Sequence, residues 1–299
     1  MDTFFEQVFN GLSLAAVLLL IALGLTFTFG QMGVINMAHG ELIMAGAYTP
    51  FVLQTKVGLL AGATGTAFML SLPVAFAVTA LMGVVAERLL IRRMYGRPLD
   101  TLLVTFGLSL ILQQGAKDLF GAPNVEVVSP TWLRGNTELF GFVMPHTRLF
   151  IIVLTIGVVA VVTLVLARTR YGRRMRAVTQ HRELAAVSGL ATGKIDALTF
   201  ALGSGLAGVT GVAISLIGSI GSQVGIAYVI DAFLVTIVGG LGKVRGAVIA
   251  ALLLGLLSSF IERWTSASIG KAIVLVAVIV FLQFRPNGIV SFRTRGLVV

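Results

Sequence analysis

No cysteine occurs among the 299 residues, which excludes disulfides, thiolate metal sites and a cysteine nucleophile. Charge is scarce as well: Asp, Glu, Lys and Arg make up 11% of the chain, against roughly a quarter in a soluble domain. Hydrophobic residues reach 57% and the mean hydropathy is +1.00. A chain of this kind cannot present a mostly wet surface, so its solvent is lipid. Only three histidines are present, at positions 39, 146 and 181, without paired metal-ligand spacing, and no serine sits in a nucleophile elbow. A phosphate-binding loop is missing too. Residues 189–194 read GLATGK and 239–243 read GGLGK, neither with the required spacing, so the chain is not expected to bind ATP, a metal or a cofactor, or to be an enzyme.

What is abundant is apolar sequence of membrane-spanning length. Breaking the chain at its charges leaves nine segments, near 8–29, 40–54, 61–90, 101–116, 149–167, 197–219, 227–241, 246–261 and 272–284. The fold class is therefore all-α: one polytopic bundle over residues 1–299, of about eight or nine helices, some short or broken. The first ten residues, MDTFFEQVFN, lack the basic start of a cleavable signal peptide, so the first helix is expected to be retained.

The net charge of +10 lies at segment ends, a pattern of orientation rather than of nucleic-acid binding. Arg88, Arg92, Arg93 and Arg97 form one cluster, and Arg168, Arg170, Arg173, Arg174, Arg176, Arg182 and Lys194 another. With both clusters cytoplasmic, alternation also places Lys243, Arg245, Arg285, Arg293 and Arg295 inside, sixteen of the 22 basic residues. The N-terminus then lies outside and the C-terminus inside, unless 40–54 is re-entrant, which would bring the N-terminus inside.

Most of the 35 glycines are expected to let helices approach closely, because lipid gives apolar contacts no hydrophobic gain. The most unusual polar stretch is GVINMAHGELIMAG at 33–46, with Asn36, His39 and Glu41 among apolar residues. A carboxylate at the bilayer centre costs about 2.5–3.5 kcal/mol, so Glu41 should face a wet pathway, a partner helix or the interface. The flanking glycines permit a broken helix, tolerated only beside protein or a water-lined cavity. The alternative is that His39 and Glu41 brace a helix end. Asp231 either contacts a solute or caps a helix; Gln113 and Gln114 either line a pore or bridge helices. The outer stretch 117–148, with three prolines and Trp132, reads as an ordered interfacial loop that either docks a partner or simply connects. On the cytoplasmic side, about 170–196, a basic run leads into ELAAVSG, where a short amphipathic helix ending near Gly189 would form a knob.

Four stretches resemble the branched-chain amino acid and urea permeases of the ABC importer superfamily: GVINMAHGELIMAGAY; ERLLIRRMYGRPLDTLLVTFGLSLILQQ; YGRRMRAVTQHRELAAVSGL with TFALGSGLAGVTG; and DAFLVTIVGGLGKVRGAVIAALLLG. They span essentially the whole chain in order. NMAHGELIM, RPLDTLLVTFGLSLILQQ and FGAPNVEVVSP are most similar to the urea branch, so urea is the expected solute and a branched-chain amino acid the alternative. The resemblance implies a bacterial inner-membrane location, a second homologous permease chain, two separate ATPase subunits and an extracytoplasmic binding protein. It also likens the knob to an ATPase-coupling motif, carried by Arg182, Glu183, Ala185, Ala186 and Gly189, although Leu184 stands where that motif has alanine. For urea, small and neutral, the expected path is lined by paired polar groups, Asn36, His39, Thr105 and Gln113, with Glu41 and Asp231 as further candidates. A zwitterion would instead favour helix termini or charges. Rival readings are a passive channel and, more remotely, an intramembrane enzyme in which His39, Glu41 and Asp231 converge.

Overall fold

The computed structural model describes residues 2–57, 63–139 and 142–290. Its helices are α1 (Asp2–Met32), α2 (His39–Thr55), α3 (Thr64–Leu89), α4 (Pro98–Phe120), α5 (His146–Arg168), α6 (Arg170–Gln180), α7 (Arg182–Val187), α8 (Thr192–Ile214), α9 (Val224–Gly239), α10 (Val244–Glu262) and α11 (Ala267–Phe284). A small hairpin, β1 (Asn136–Leu139) and β2 (Phe142–Pro145), interrupts this helical bundle. Among the described residues, seven helices are long and apolar enough to cross a membrane: α1, α3, α4, α5, α8, α10 and α11. The shorter α2 and α9 complete the nine expected segments.

Burial separates centre from periphery. In α1 and α8, 83% of the most hydrophobic window is buried, against 17% in α5 and α11. α8 packs against α1, α2 and α3 and forms the hub. What allows this is the absence of side chains where helices cross. A Cβ added at Gly46 would lie 2.2 Å from the Gly208 carbonyl oxygen, and one at Gly40 would lie 2.4 Å from that of Gly225. Only glycine permits backbones so close, and in lipid that approach supplies the packing that holds helices together.

The expected orientation pattern is present in three dimensions. Ser259 Oγ near the end of α10 donates to the Gln7 carbonyl of α1 at 2.8 Å, whereas Gly30 near the other end of α1 meets Gly242. At that second end Arg182 lies over the Tyr95 ring, 5.1 Å from its centroid, and Arg92 reaches Gly193. The basic clusters therefore share one face, the one expected to be cytoplasmic, and the N-terminal end of α1 lies opposite. Arg293 and Arg295 lie outside the described residues, as does the start of the 61–90 segment.

The segment 40–54 is not re-entrant. α1 ends at the basic face, where Gly33 takes a positive φ of 62° and stops it. Residues 33–36 then run without helical structure to a turn at 37–38, and α2 begins at His39. Its far end lies on the opposite face, where the Gln54 side chain exchanges two hydrogen bonds with Val128, at 3.0 and 3.1 Å. A non-helical half and a helical half together cross the bundle.

Most helices run a few residues beyond the expected segments, α1 from Asp2 and α11 from Ala267, and two boundaries have a clear physical reason. The 197–219 segment begins already at Thr192 and stops at Ile214, because the helix runs on through TGKID beyond the apolar stretch and then meets the serine- and glycine-rich 215–223. The 117–148 stretch is shorter as a loop: α4 continues to Phe120 until Gly121 turns it with a φ of 89°, and α5 starts at His146. Between them the chain is tied down by a Val125–Ile220 bridge and by Trp132 against the Phe150 ring at 5.5 Å.

Candidate translocation cleft and coupling surface

α4 turns one polar stripe toward the bundle. Thr101, Thr105, Ser109 and Gln113 recur every four residues and are all buried, so they share one face of the helix. Each has a task. The Met37 N–H donates to Thr105 Oγ1 at 3.1 Å, and the Ile35 carbonyl lies 3.2 Å from the same hydroxyl, so α4 satisfies backbone groups that the break before α2 sets free. Ser109 Oγ and Gln113 Nε2 both donate to Glu41 Oε1 at 2.8 Å. The second carboxylate oxygen, Oε2, is buried without a partner among the described residues.

Glu41 is one of the residues lining a half-open cavity of about 510 Å³ between α2, α3 and α4, whose walls include Met44, Tyr48, Val78, Met82 and Leu112. A second cavity, about 280 Å³, continues toward the basic end and is lined by Asn36, Leu42, Met82, Leu89, Leu112 and Phe200. Met82 and Leu112 line both, so they form the partition. Two further buried polar atoms lack partners on this route, Asn36 Oδ1 and the Tyr48 hydroxyl. Apart from these groups the walls are almost wholly apolar.

Four of the six expected pathway residues therefore meet at one cleft: Asn36 and Glu41 line it, while Thr105 and Gln113 hold its parts in place. The other two do not join them. His39 turns away from the cleft and sets its Nε2 3.1 Å from the Ile21 carbonyl, in the middle third of α1. Because a carbonyl only accepts, Nε2 carries the proton and the ring pins the start of α2 to α1. Asp231 pairs with Lys271 of α11 at 3.4 Å, lining a separate small cavity with Glu262. His39, Glu41 and Asp231 thus do not converge on a common centre. Gln114 donates to Asp118 at 2.9 Å on the exposed side of α4. Ser109 and Tyr48 are polar groups at the cleft that sequence reasoning missed, along with its apolar walls; the four-residue spacing of the α4 stripe was the available signal for the first.

At the basic end, α6 and α7 form the expected knob. Ala185 is buried against Val178 and Ile195, while Leu184 and Val187 stand 61% and 88% exposed. Glu183 and Ala186 share that outer surface, and Gly189, with φ 81°, ends the turn. The knob is fastened by Arg182, whose guanidinium donates to Asp196 Oδ2 at 2.5 Å, at the start of α8. Tyr95, beneath Arg182, donates to Glu87 Oε1 of α3 at 2.6 Å. Burial, reinforced by the Glu87 carboxylate, pushes the Tyr95 phenol above its ordinary range, so it remains a donor. One cluster of side chains thus joins α7 to both α3 and α8.

Residues 7–282 match the family described as branched-chain amino acid transport system, permease component. The chain belongs to this family. Among its relatives are the high-affinity branched-chain amino acid transport system permease proteins BraD of Pseudomonas aeruginosa, 31% identical, and LivH of Escherichia coli, 29% identical; each alignment covers 96% of both chains. A probable LivH of Methanocaldococcus jannaschii is 29% identical over 94% of this chain and 90% of its own. Neither the family description nor these names mention urea. No solved structure matches. As a member of the branched-chain permease family, with seven helices long enough to span, the chain is a multi-pass inner-membrane permease.

Proposed function

We propose that this permease carries a branched-chain amino acid inward as part of an ATP-driven importer. The observation that carries this reading is the character of the cleft, with apolar walls on α3 and α4 around a single buried carboxylate. Urea, ranked first by sequence resemblance, needs paired polar groups along its way and gains little from apolar walls. The amino-acid reading also agrees with the names of the relatives, and it replaces urea as the preferred solute.

The importer supplies its energy from outside this chain. Two ATPase subunits, a second permease chain and an external binding protein complete the assembly on this reading. The knob gives the ATPase its grip: Leu184 and Val187 offer an exposed apolar contact, and Arg182 passes movement of α7 to α3 and α8. Those two helices, packed together along their length, adjoin the cleft, so motor movement reaches the solute path.

Uptake of labelled leucine and labelled urea by the complex with its partner subunits tests the solute. Leucine uptake without urea uptake is expected, and the opposite result would reverse the assignment. Ala186→Arg places charge on the grip and should abolish ATP-coupled uptake while leaving the bundle folded. A passive channel would continue to conduct with that substitution.

A further inference from the structure

We propose that Glu41 Oε2 is the anchor for the ammonium group of the transported solute, making the cavity between α2, α3 and α4 a subsite for an apolar primary amine. This deepens the amino-acid reading and rests on it. The first observation is an unfinished set of hydrogen bonds. Glu41 is 1% exposed, and both donors from α4 go to Oε1, leaving Oε2 buried with none. A partnerless carboxylate oxygen beneath lipid depth is expensive, and a missing donor is the simplest way to complete it. The second observation is the space beside Glu41. The adjoining cavity of about 510 Å³ is walled by Met44, Val78, Met82 and Leu112, surfaces that suit a branched hydrocarbon side chain and supply no competing cation.

An ammonium group brings three donors and one positive charge, and it leaves the apolar remainder of the solute against those walls. The Tyr48 hydroxyl, unpartnered on the same wall two turns along α2, offers the next polar group on the outward side. Oε2 is covered in this conformation, so the subsite opens by displacement of α4. That helix is suited to the movement, because apart from its polar stripe it packs only lightly against α2. Partition residues Met82 and Leu112 then separate the ammonium site from the cavity around Asn36.

The purified permease is examined by thermal unfolding with leucine, isoamylamine and isocaproate, which carry the same hydrocarbon with both charged groups, the ammonium alone and the carboxylate alone. Leucine and isoamylamine are expected to raise Tm, and isocaproate to leave it unchanged. Glu41→Gln retains an acceptor for Ser109 and Gln113 but removes the charge, so it should fold, lose both shifts and lower leucine uptake by about ten- to a hundredfold. Val78→Trp fills the cavity from α3 without touching the Glu41 hydrogen bonds, and it should also lose both shifts; it decides the matter if Glu41→Gln fails to accumulate. An equal response to isocaproate, or amine binding unaffected by both variants, overturns the subsite. If the wild-type complex imports no leucine yet the permease binds isoamylamine through Glu41, the subsite stands and the solute assignment alone falls.

Discussion

The α2–α8 contact and the α2–α4 contact join the same helix to two neighbours by opposite means. Against α8, α2 has backbone meeting backbone at Gly46 and Gly208, with no side chain between them. Against α4 it has a ladder of side-chain hydrogen bonds, at Thr105, Ser109 and Gln113, flanked by two cavities. In lipid the first kind of contact is permanent, because nothing can rotate out of the way. The second can part and re-form, since each polar group needs only a substitute partner such as water or a solute.

The sharpest way to break this contrast is Gly46→Leu. Its side chain has no room beside Gly208, and the bundle should lose about 3 kcal/mol or more, read as a lower Tm in detergent and poor accumulation. Gln113→Leu attacks the other contact. It removes one of two donors to Glu41, so a loss of about 1–3 kcal/mol is expected, with the α2–α8 seam intact and α4 more accessible to proteolysis or labelling. The smallest effect belongs to Asp100→Asn. The Arg97–Asp100 pair spans 3.8 Å at the exposed start of α4, and its removal should change stability by less than about 0.5 kcal/mol. If Gly46→Leu proved as mild as Asp100→Asn, the distinction between a fixed and a separable contact would be lost.

Much of this arrangement is legible in the sequence because lipid makes its demands locally. Long apolar runs, arginines at one set of ends and a polar interruption at 33–46 each follow from the cost of polar groups in hydrocarbon, whichever helices become neighbours. The broken start of α2 and the knob ending at Gly189 belong to the same class. Partner choice is different. Nothing in NMAHGE says that His39 would find the Ile21 carbonyl of α1 while Glu41, two residues later, found α4. On a helix those two residues point to different sides, so grouping them in one pathway overlooked the angle between them. Ser109 was passed over because a lone serine in a membrane helix commonly bonds its own backbone, and only the 101-105-109-113 spacing marks it as part of a face. The hairpin at 136–145 escaped notice because its four-residue strands are too short for alternation to stand out.

The gap between α1 and α2 has a mechanical consequence. A continuous helix acts as a strut and carries a push from one end to the other, whereas an unwound stretch behaves as a cord, here one tied sideways to α4 at Thr105. Residues 33–36 form such a cord on the cytoplasmic half of this crossing, so compression applied at the end of α1 does not travel up α2. On the importer reading proposed above, force from the motor climbs the unbroken struts, α3 and α8, and comes at α2 from the side. The glycine crossing holds α2 in place against that push, so what yields is its hydrogen-bonded contact with α4, as a latch does beside a fixed hinge post.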